Sequence, residues 1–422
     1  MLQVAFIKDN KEKVLTGLKK RNFSRPEIID EIISLDESRK KIQFDLDSQL
    51  AEINNTSKEI GILIKNGKKE EAEKAKSQTT YLKESSKKLQ QELSEIEEKL
   101  KKSLYEVPNI PNDKVPFGTS EADNLEIFKY TANENLIANA LPHWDLVKKY
   151  DLIDFELGVK ITGAGFPVYK GKGARLQRSL SQYFLDKNSE AGYTEIVPPF
   201  VVNEASGYGT GQLPDKEGQM YYVNEDNLYL IPTSEVPVTN IFREELLNAE
   251  QLPVKLTAYS PCFRREAGSY GKDVRGLNRL HQFEKVEIVR IERPEDSYQA
   301  LDEMIEHVKS LLESLQLTYR ILRLCGGDLG FASAITYDFE VWSAAQERWL
   351  EVSSVSNFET FQTNRLKLRY KKEGKNQLCH TLNGSSLALP RVLAALLENH
   401  QTENGINIPE VLVPYTGFNF IN

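Results

Sequence analysis

A chain of 422 residues has room for one large domain with an appendage, or for two or three ordinary domains. Its 27% charged and 40% hydrophobic residues are those of an ordinary globular protein, and a net charge of −8 carries no whole-chain basic signal for nucleic acid. No stretch approaches the roughly 18 apolar residues of a membrane span, and the first residues reach charge by Lys8 without the apolar core of a signal peptide. The charge is uneven: residues 1–104 hold 22 basic and 19 acidic side chains, a net of +3, leaving −11 for the rest. Two parts of opposite sign point to different partners.

In chain order, residues 1–23 read as a short helix packed at the base of a long helical hairpin. From Ile28 the apolar residues Ile28, Ile32, Leu35, Ile42, Leu46, Ile53, Ile60 and Leu63 are spaced by alternating fours and threes, with Arg39, Gln49 and Thr56 as polar seam positions. A second run, Ala72, Ala75, Thr79, Leu82, Leu89, Leu93, Ile96 and Leu100, keeps the same rhythm. Sustained over several heptads, that spacing predicts an antiparallel coiled-coil hairpin over about 26–104. Ser24-Arg25-Pro26-Glu27 supplies a capping-box start, and Asn66-Gly67 a stop and reversal. Each helix, nearly forty residues long, would project about 55 Å. The hairpin suits either a spacer or an arm that touches a polyanion through its lysines, and composition does not choose between them.

Pro108, Pro111 and Pro116 then end the periodicity, so 107–118 reads as a linker between an N-terminal domain, 1–106, and a main domain, 119–422. In the main domain, short β-branched or aromatic runs such as "TEIVPPFVV", "NLYLIP", "TYRILRL", "TYDFEVWS" and "RWLEVSSVS" alternate with helical segments over Gly173–Asn188 and Pro294–Leu315. Several strands abut turns rather than crossover helices, which predicts an α+β fold with a mainly antiparallel sheet flanked by helices. There is no G-x-x-x-x-G-K-[ST], which excludes a P-loop, and "GYGTGQLP" (Gly207–Pro214) reads as a plain loop. Cys262, Cys325 and Cys379 stand far apart in no C-x-x-C spacing, as expected of buried fillers in a reducing, cytoplasmic compartment with no zinc.

The densest chemistry lies in "CFRREAGSYGKDVRGLNRLHQFE" (Cys262–Glu284). A strand enters, a loop over Ala267–Asn278 turns, and a second strand returns with Arg279, His281, Phe283, Lys285 and Glu287 expected on one face by alternation. Guanidinium groups, an aromatic ring and carboxylates on a shared face suit a clamp for phosphates, a flat heterocycle and an amine. A salt-bridged hairpin satisfies the same spacing.

This stretch, with Phe263, Arg264, Glu266, Arg279 and Phe283, resembles the second signature of class II aminoacyl-tRNA synthetases. Ala267-Gly268-Ser269 and His281-Gln282-Phe283 make it similar to the seryl-tRNA synthetase family in particular. "GYTEIVPPFVV" with Pro199 resembles the first signature, a dimer element, and "HTLNGSSLALPRVLAALLEN" with Arg391 resembles the third. The helical hairpin, Thr233-Ser234-Glu235 and "TYDFEVW" match the same family, in order and over essentially the whole chain. The resemblance implies a class II synthetase-like catalytic core that activates L-serine with ATP and charges tRNA(Ser), with tRNA(Sec) as a further substrate. It implies Arg264 on the α-phosphate and the amino-acid carboxylate, Arg391 on the γ-phosphate, Glu266 on the adenine amine and Phe283 against the ring. Arg265, Val352 and Ser353 complete the ATP set, and Glu351 and Ser354 would hold Mg²⁺. Serine would be held by Thr233, Ser234, Glu235, Arg264, Glu287, Asn383 and Ser385. A homodimer, with tRNA read by the coiled-coil arm, is also implied by the resemblance. Two departures stand out: Pro390 directly before Arg391, tolerable only in a helix's first turn, and Val355 at a position where many relatives carry cysteine, read as packing. A paralogue charging another carrier would be expected to lack the arm, and a non-catalytic scaffold would be expected to lose Arg264, Glu266, Phe283, Glu351 and Arg391.

Overall fold

The computed structural model describes residues 1–132, 137, 139–266 and 275–422. Its contacts divide the chain into two units, Leu2–Lys19 with Phe23–Pro108, and Met1, Lys20–Asn22 with Asn109–Asn422.

In the first unit, two short helices form where one was expected, α1 (Val4–Asp9) and α2 (Lys11–Lys20). Then come α3 (Ile28–Lys65) and α4 (Lys69–Glu106), the antiparallel coiled-coil hairpin. Ile28, Ile32, Leu46 and Ile53 of α3 and Ala72, Leu82, Leu93 and Leu100 of α4 are buried along the seam, as the heptad rhythm requires. Among the buried polar residues of the hairpin, the Thr79 hydroxyl donates to Ala75 O (2.9 Å) and Asp36 is paired with Lys40 (2.8 Å) and Arg39 (3.0 Å) within their own helices, while the Ser103 hydroxyl of α4 donates to Glu31 of α3 (2.9 Å). The reversal uses Gly67 at φ +74°, a backbone conformation that disfavours a Cβ. The capping box at Ser24 does not form. The helix starts at Ile28 with Glu27 as N-cap and no side-chain cap, because Arg25–Glu27 form turns whose carbonyls take the first amide N–H groups.

The second unit is built on an eight-stranded sheet: β1 (Leu125–Tyr130), β2 (Thr194–Glu195), β3 (Val254–Phe263), β4 (Gln282–Glu292), β5 (Tyr319–Arg323), β6 (Ile335–Ser343), β7 (Arg348–Glu359) and β8 (His380–Ala388). The spatial order is β1-β5-β6-β7-β8-β4-β3-β2, antiparallel throughout except where β2 lies parallel to β3. The helices of this unit are α5 (His143–Lys149), α6 (Phe155–Ile161), α7 (Gly171–Glu190), α8 (Glu204–Thr210), α9 (Glu235–Asn240), α10 (Ser297–Ser314), α11 (Phe361–Leu366), α12 (Leu389–Asn399) and α13 (Val413–Thr416). Period-two alternation gives the sheet two chemically distinct faces. On β4, Val286 and Ile288 join the main hydrophobic cluster with Leu180 and Phe184 of α7, Met304 and Leu312 of α10, and Leu393 and Leu396 of α12. The intervening Lys285 and Glu287 point the other way, into a cleft. The proline-rich segment is packed from Asn109 onward: the Asn109 amide donates to Ala332 O and Phe358 O, both at 2.9 Å. All three cysteines are buried and free. No helix among the described residues is long and apolar enough to cross a membrane.

Candidate active site

The polar face of β4, β7 and β8 floors a cleft of about 660 Å³. Its walls are the strand-to-helix turn at Thr233, the N-terminal turn of α12, and two segments around 210–220 and 330–333.

At one end are the cationic groups. Arg264 follows β3 directly, with its guanidinium carbon 5.2 Å from the centre of the Phe283 ring on β4. The cation–π contact orients both groups. Glu266, at φ +48°, accepts from Arg279 Nη1 at 3.0 Å. Arg391 is the third residue of α12, with Pro390 inside the first turn, so the proline removes no helical donor and the axis is not kinked at the arginine. Its Nε donates to Asn278 O and its Nη1 to Glu351 O, each at 2.9 Å, while Glu351 Oε2 lies 3.7 Å away. Ser353 donates to Ser385 O at 2.6 Å, tying β7 to β8. Beside Ser354 on the neighbouring strand, Asp338 is held well above the usual carboxylate range by burial and then by the charge of Glu351.

The cleft is also lined by buried carboxylates. Glu287 is 2% exposed; it accepts from the Thr233 hydroxyl at 2.9 Å and pairs with buried Lys285. Glu235, at the start of α9, accepts from Gln362 Nε2 at 2.7 Å. Burial, and then the Glu287 charge, push its carboxyl up to about 7, against the stabilising amide of Gln362. The Asn383 amide nitrogen is buried and makes no hydrogen bond of good geometry among the described residues, though it is near enough to favour the Glu235 carboxylate. Two carboxylates and an unsatisfied donor suit a small ligand with an ammonium group and a polar oxygen.

Of the expected residues, Arg264, Glu266, Phe283, Glu351, Val352, Ser353, Ser354, Arg391, Thr233, Glu235, Glu287, Asn383 and Ser385 line this one cleft. Ser234 and Arg265 do not: Ser234 is fully buried at the α9 N-cap, and the Arg265 backbone is bound to Gln219 O. The expected shared face also fails at its start. The returning strand begins at Gln282, so Arg279 and His281 precede the alternation. His281 turns away to stack on Phe166, with ring centres 5.4 Å apart, and to bond the Tyr221 hydroxyl at 2.9 Å. "GYGTGQLP" is not a plain loop either: α8 runs through Gly207 and Gly209, and only from Gly211 does irregular chain line the cleft. The Ala267–Asn278 loop is described only from Arg275; Ala267, Gly268 and Ser269 lie outside the described residues. Sequence reasoning missed Gln362, which reaches Glu235 from α11, and Asn278 under Arg391. No local pattern marks either, since each acts through a partner more than a hundred residues away.

Residues 220–400 match the family described as the class II core domain of tRNA synthetases (G, H, P, S and T), and residues 1–111 match the seryl-tRNA synthetase N-terminal domain. A serine–tRNA ligase of Salinibacter ruber is 49% identical over 99% of this chain and 98% of its own, and one of Thermodesulfovibrio yellowstonii is 44% identical over the full length of both. The crystal structure of seryl-tRNA synthetase from Pyrococcus horikoshii complexed with ATP superposes with a TM-score of 0.92 at 32% identity, covering 100% of this chain and 99% of that one.

Proposed function

The chain belongs to the seryl-tRNA synthetase family of class II aminoacyl-tRNA synthetases, and from that premise we propose how its cleft carries out serine activation and transfer. It is a serine–tRNA ligase: the serine carboxylate oxygen attacks the α-phosphorus of ATP, the bond to the β-phosphate oxygen breaks and pyrophosphate leaves. A 3′-terminal ribose hydroxyl of the tRNA then attacks the seryl carbonyl and AMP departs. The observation that carries the residue assignments is that the cationic and carboxylate groups line a single cleft.

The carboxylate is already a nucleophile, so the protein needs no general base for the first step; it supplies position and charge. Arg264 joins the α-phosphate to the serine carboxylate, and its contact with Phe283 fixes where the adenine stacks. Arg391, anchored through Nε, receives the γ-phosphate. Glu235 and Glu287 receive the ammonium, and Asn383 and Ser385 the serine hydroxyl. Alanine is rejected because it would leave buried polar groups unpaired.

The Glu351 region fits a Mg²⁺ ion. Asp338 Oδ1 is buried with no hydrogen-bond partner among the described residues, and the mutual repulsion of Asp338 and Glu351 is what a divalent cation would relieve. Glu351 and Ser354 would hold the ion, which supplies charge neutralisation across the phosphates when bound. The arm would read the tRNA by shape and backbone, and tRNA(Sec) would share the tRNA(Ser) path. Val197, 80% exposed, with Phe200 and Val201 beside it, gives the element resembling the first signature an apolar surface suited to a homodimer. Free buried cysteines suit the cytoplasm. Amino-acid-dependent ATP–pyrophosphate exchange across the twenty amino acids tests the reading: exchange with serine is expected, and exchange with a different amino acid overturns the pocket assignment.

A further inference from the structure

His143 and Glu398 form a pair with 0% side-chain exposure, outside the cleft and unused by serine activation or transfer. His143 opens α5, and Glu398 lies on α12, seven residues beyond Arg391. His143 Nδ1 is 2.7 Å from Glu398 Oε1, which also accepts the His143 backbone N–H at 2.9 Å. The other ring nitrogen, Nε2, is 2.9 Å from the backbone nitrogen of Leu277. An amide N–H can only donate, so Nε2 carries the lone pair and Nδ1 the proton, which points at the Glu398 carboxylate. The tautomer is therefore set by its two partners.

Leu277 is where the chain returns from the loop between β3 and β4 to the cleft floor. The adjoining groups are held by the same cluster. Asn278 O accepts from Arg391 Nε at 2.9 Å, Asn278 Nδ2 donates to Gln346 Oε1 at 2.9 Å, and Gln346 Nε2 donates back to Glu398 Oε1 at 3.2 Å. Glu398 Oε2 takes the Ser343 hydroxyl. The approach is close: a Cβ on Gly276 would overlap His143 Nε2, and the Arg275 guanidinium carbon lies 4.5 Å over the Trp144 ring. Glu398 thus holds one end of the loop through His143 and Gln346, and belongs to the same rigid helix that carries Arg391.

We propose that His143 is a positioning residue for ATP: it sets the end of the β3–β4 loop against Arg391 and so keeps Asn278, Arg279 and Arg391 in the register that receives the polyphosphate. The inference rests on the assignment of this end of the cleft to ATP. Serine, at the Glu235–Glu287 end, is touched by none of these bonds, so disturbing them separates the two substrates.

Two substitutions split the two halves of the histidine. His143→Asn places an amide N–H near the Nδ1 position and leaves nothing to accept from Leu277; His143→Gln places an acceptor near Nε2. In ATP–pyrophosphate exchange, H143N is expected to raise the KM for ATP about tenfold, the effect of losing one buried hydrogen bond, with the serine KM within about twofold. H143Q is expected to recover most of the ATP affinity. An unchanged ATP KM in H143N overturns the proposal, as does an equal loss for ATP and serine in both variants with a matching fall in Tm. If H143N does not fold, Gln346→Ala carries the test: it cuts the Asn278 link and one hydrogen bond to Glu398 while leaving the His143–Glu398 contact itself in place, and must raise the ATP KM selectively, an unchanged value being a refutation. Wild-type exchange with serine in the same assay tests the cleft assignment separately.

Discussion

With Glu235 assigned to the serine ammonium, serine binding is expected to depend on pH. Its carboxyl sits at about 7, first because it is buried and then because Glu287 is beside it. An ammonium ligand binds the ionised form. At pH 6 only about one Glu235 in eleven is ionised and at pH 8 about ten in eleven, so apparent serine affinity rises about tenfold across that window. Free serine keeps its ammonium throughout. The assay is the serine KM in ATP–pyrophosphate exchange at pH 6, 7 and 8 with Mg-ATP saturating, for wild type and Glu235→Gln. The wild-type KM should fall about tenfold, and the variant should be weaker and flat. A pH-independent wild-type KM, or the same slope in the variant, refutes the assignment. Linkage gives the stability the opposite direction. An acid whose folded pKa is raised, here from 4.5 to about 7, contributes stability that is complete below about 4.5 and lost as pH rises through about 7. The difference amounts to ~3 kcal/mol, so Glu235→Gln should be better placed relative to wild type in chemical denaturation at pH 8 than at pH 5.

Glu287→Ala should abolish serine-dependent exchange while the protein remains soluble and folded. It strands the buried Lys285, a loss of about 3–5 kcal/mol in stability before relaxation; a soluble variant with normal serine KM would contradict the pocket assignment. Deleting Ile28–Leu104 should leave serine-dependent exchange intact and eliminate tRNA charging. Arg25 and Glu106 already form an ion pair at the two cut ends, so a short linker can join them, and a folded deletion that loses both activities would contradict the division of labour. Glu351→Gln should raise the Mg²⁺ concentration for half-maximal exchange about tenfold or more, from titration at fixed ATP; an unshifted midpoint removes Glu351 from the ion.

The local rules of the chain were enough for the hairpin. A heptad is a statement about one helix face, so Ile32, Leu46, Leu82 and Leu93 fall in the seam wherever the helices form, and Gly67 ends the first because only a residue without a Cβ accepts its backbone angle easily. Strand alternation likewise put Phe283, Lys285 and Glu287 on one side of β4, and the signature residues were legible as residue types at fixed spacing. What alternation could not decide was where the strand begins. His281 left the face because Phe166 and Tyr221, from distant segments, offered it a stack and a hydrogen bond. The same holds for Ser24, whose cap lost to backbone turns, and for Pro390, harmless because α12 starts one residue before it. Gln362 at Glu235, Asn278 under Arg391 and the His143–Glu398 pair are meetings of segments separated by 113 to 255 residues. Residue types and periodicity determine which faces are apolar and which chemistry is available. Which carboxylate loses its water, and which histidine nitrogen keeps its proton, depends on what the fold brings against them, and only the tertiary structure decides that.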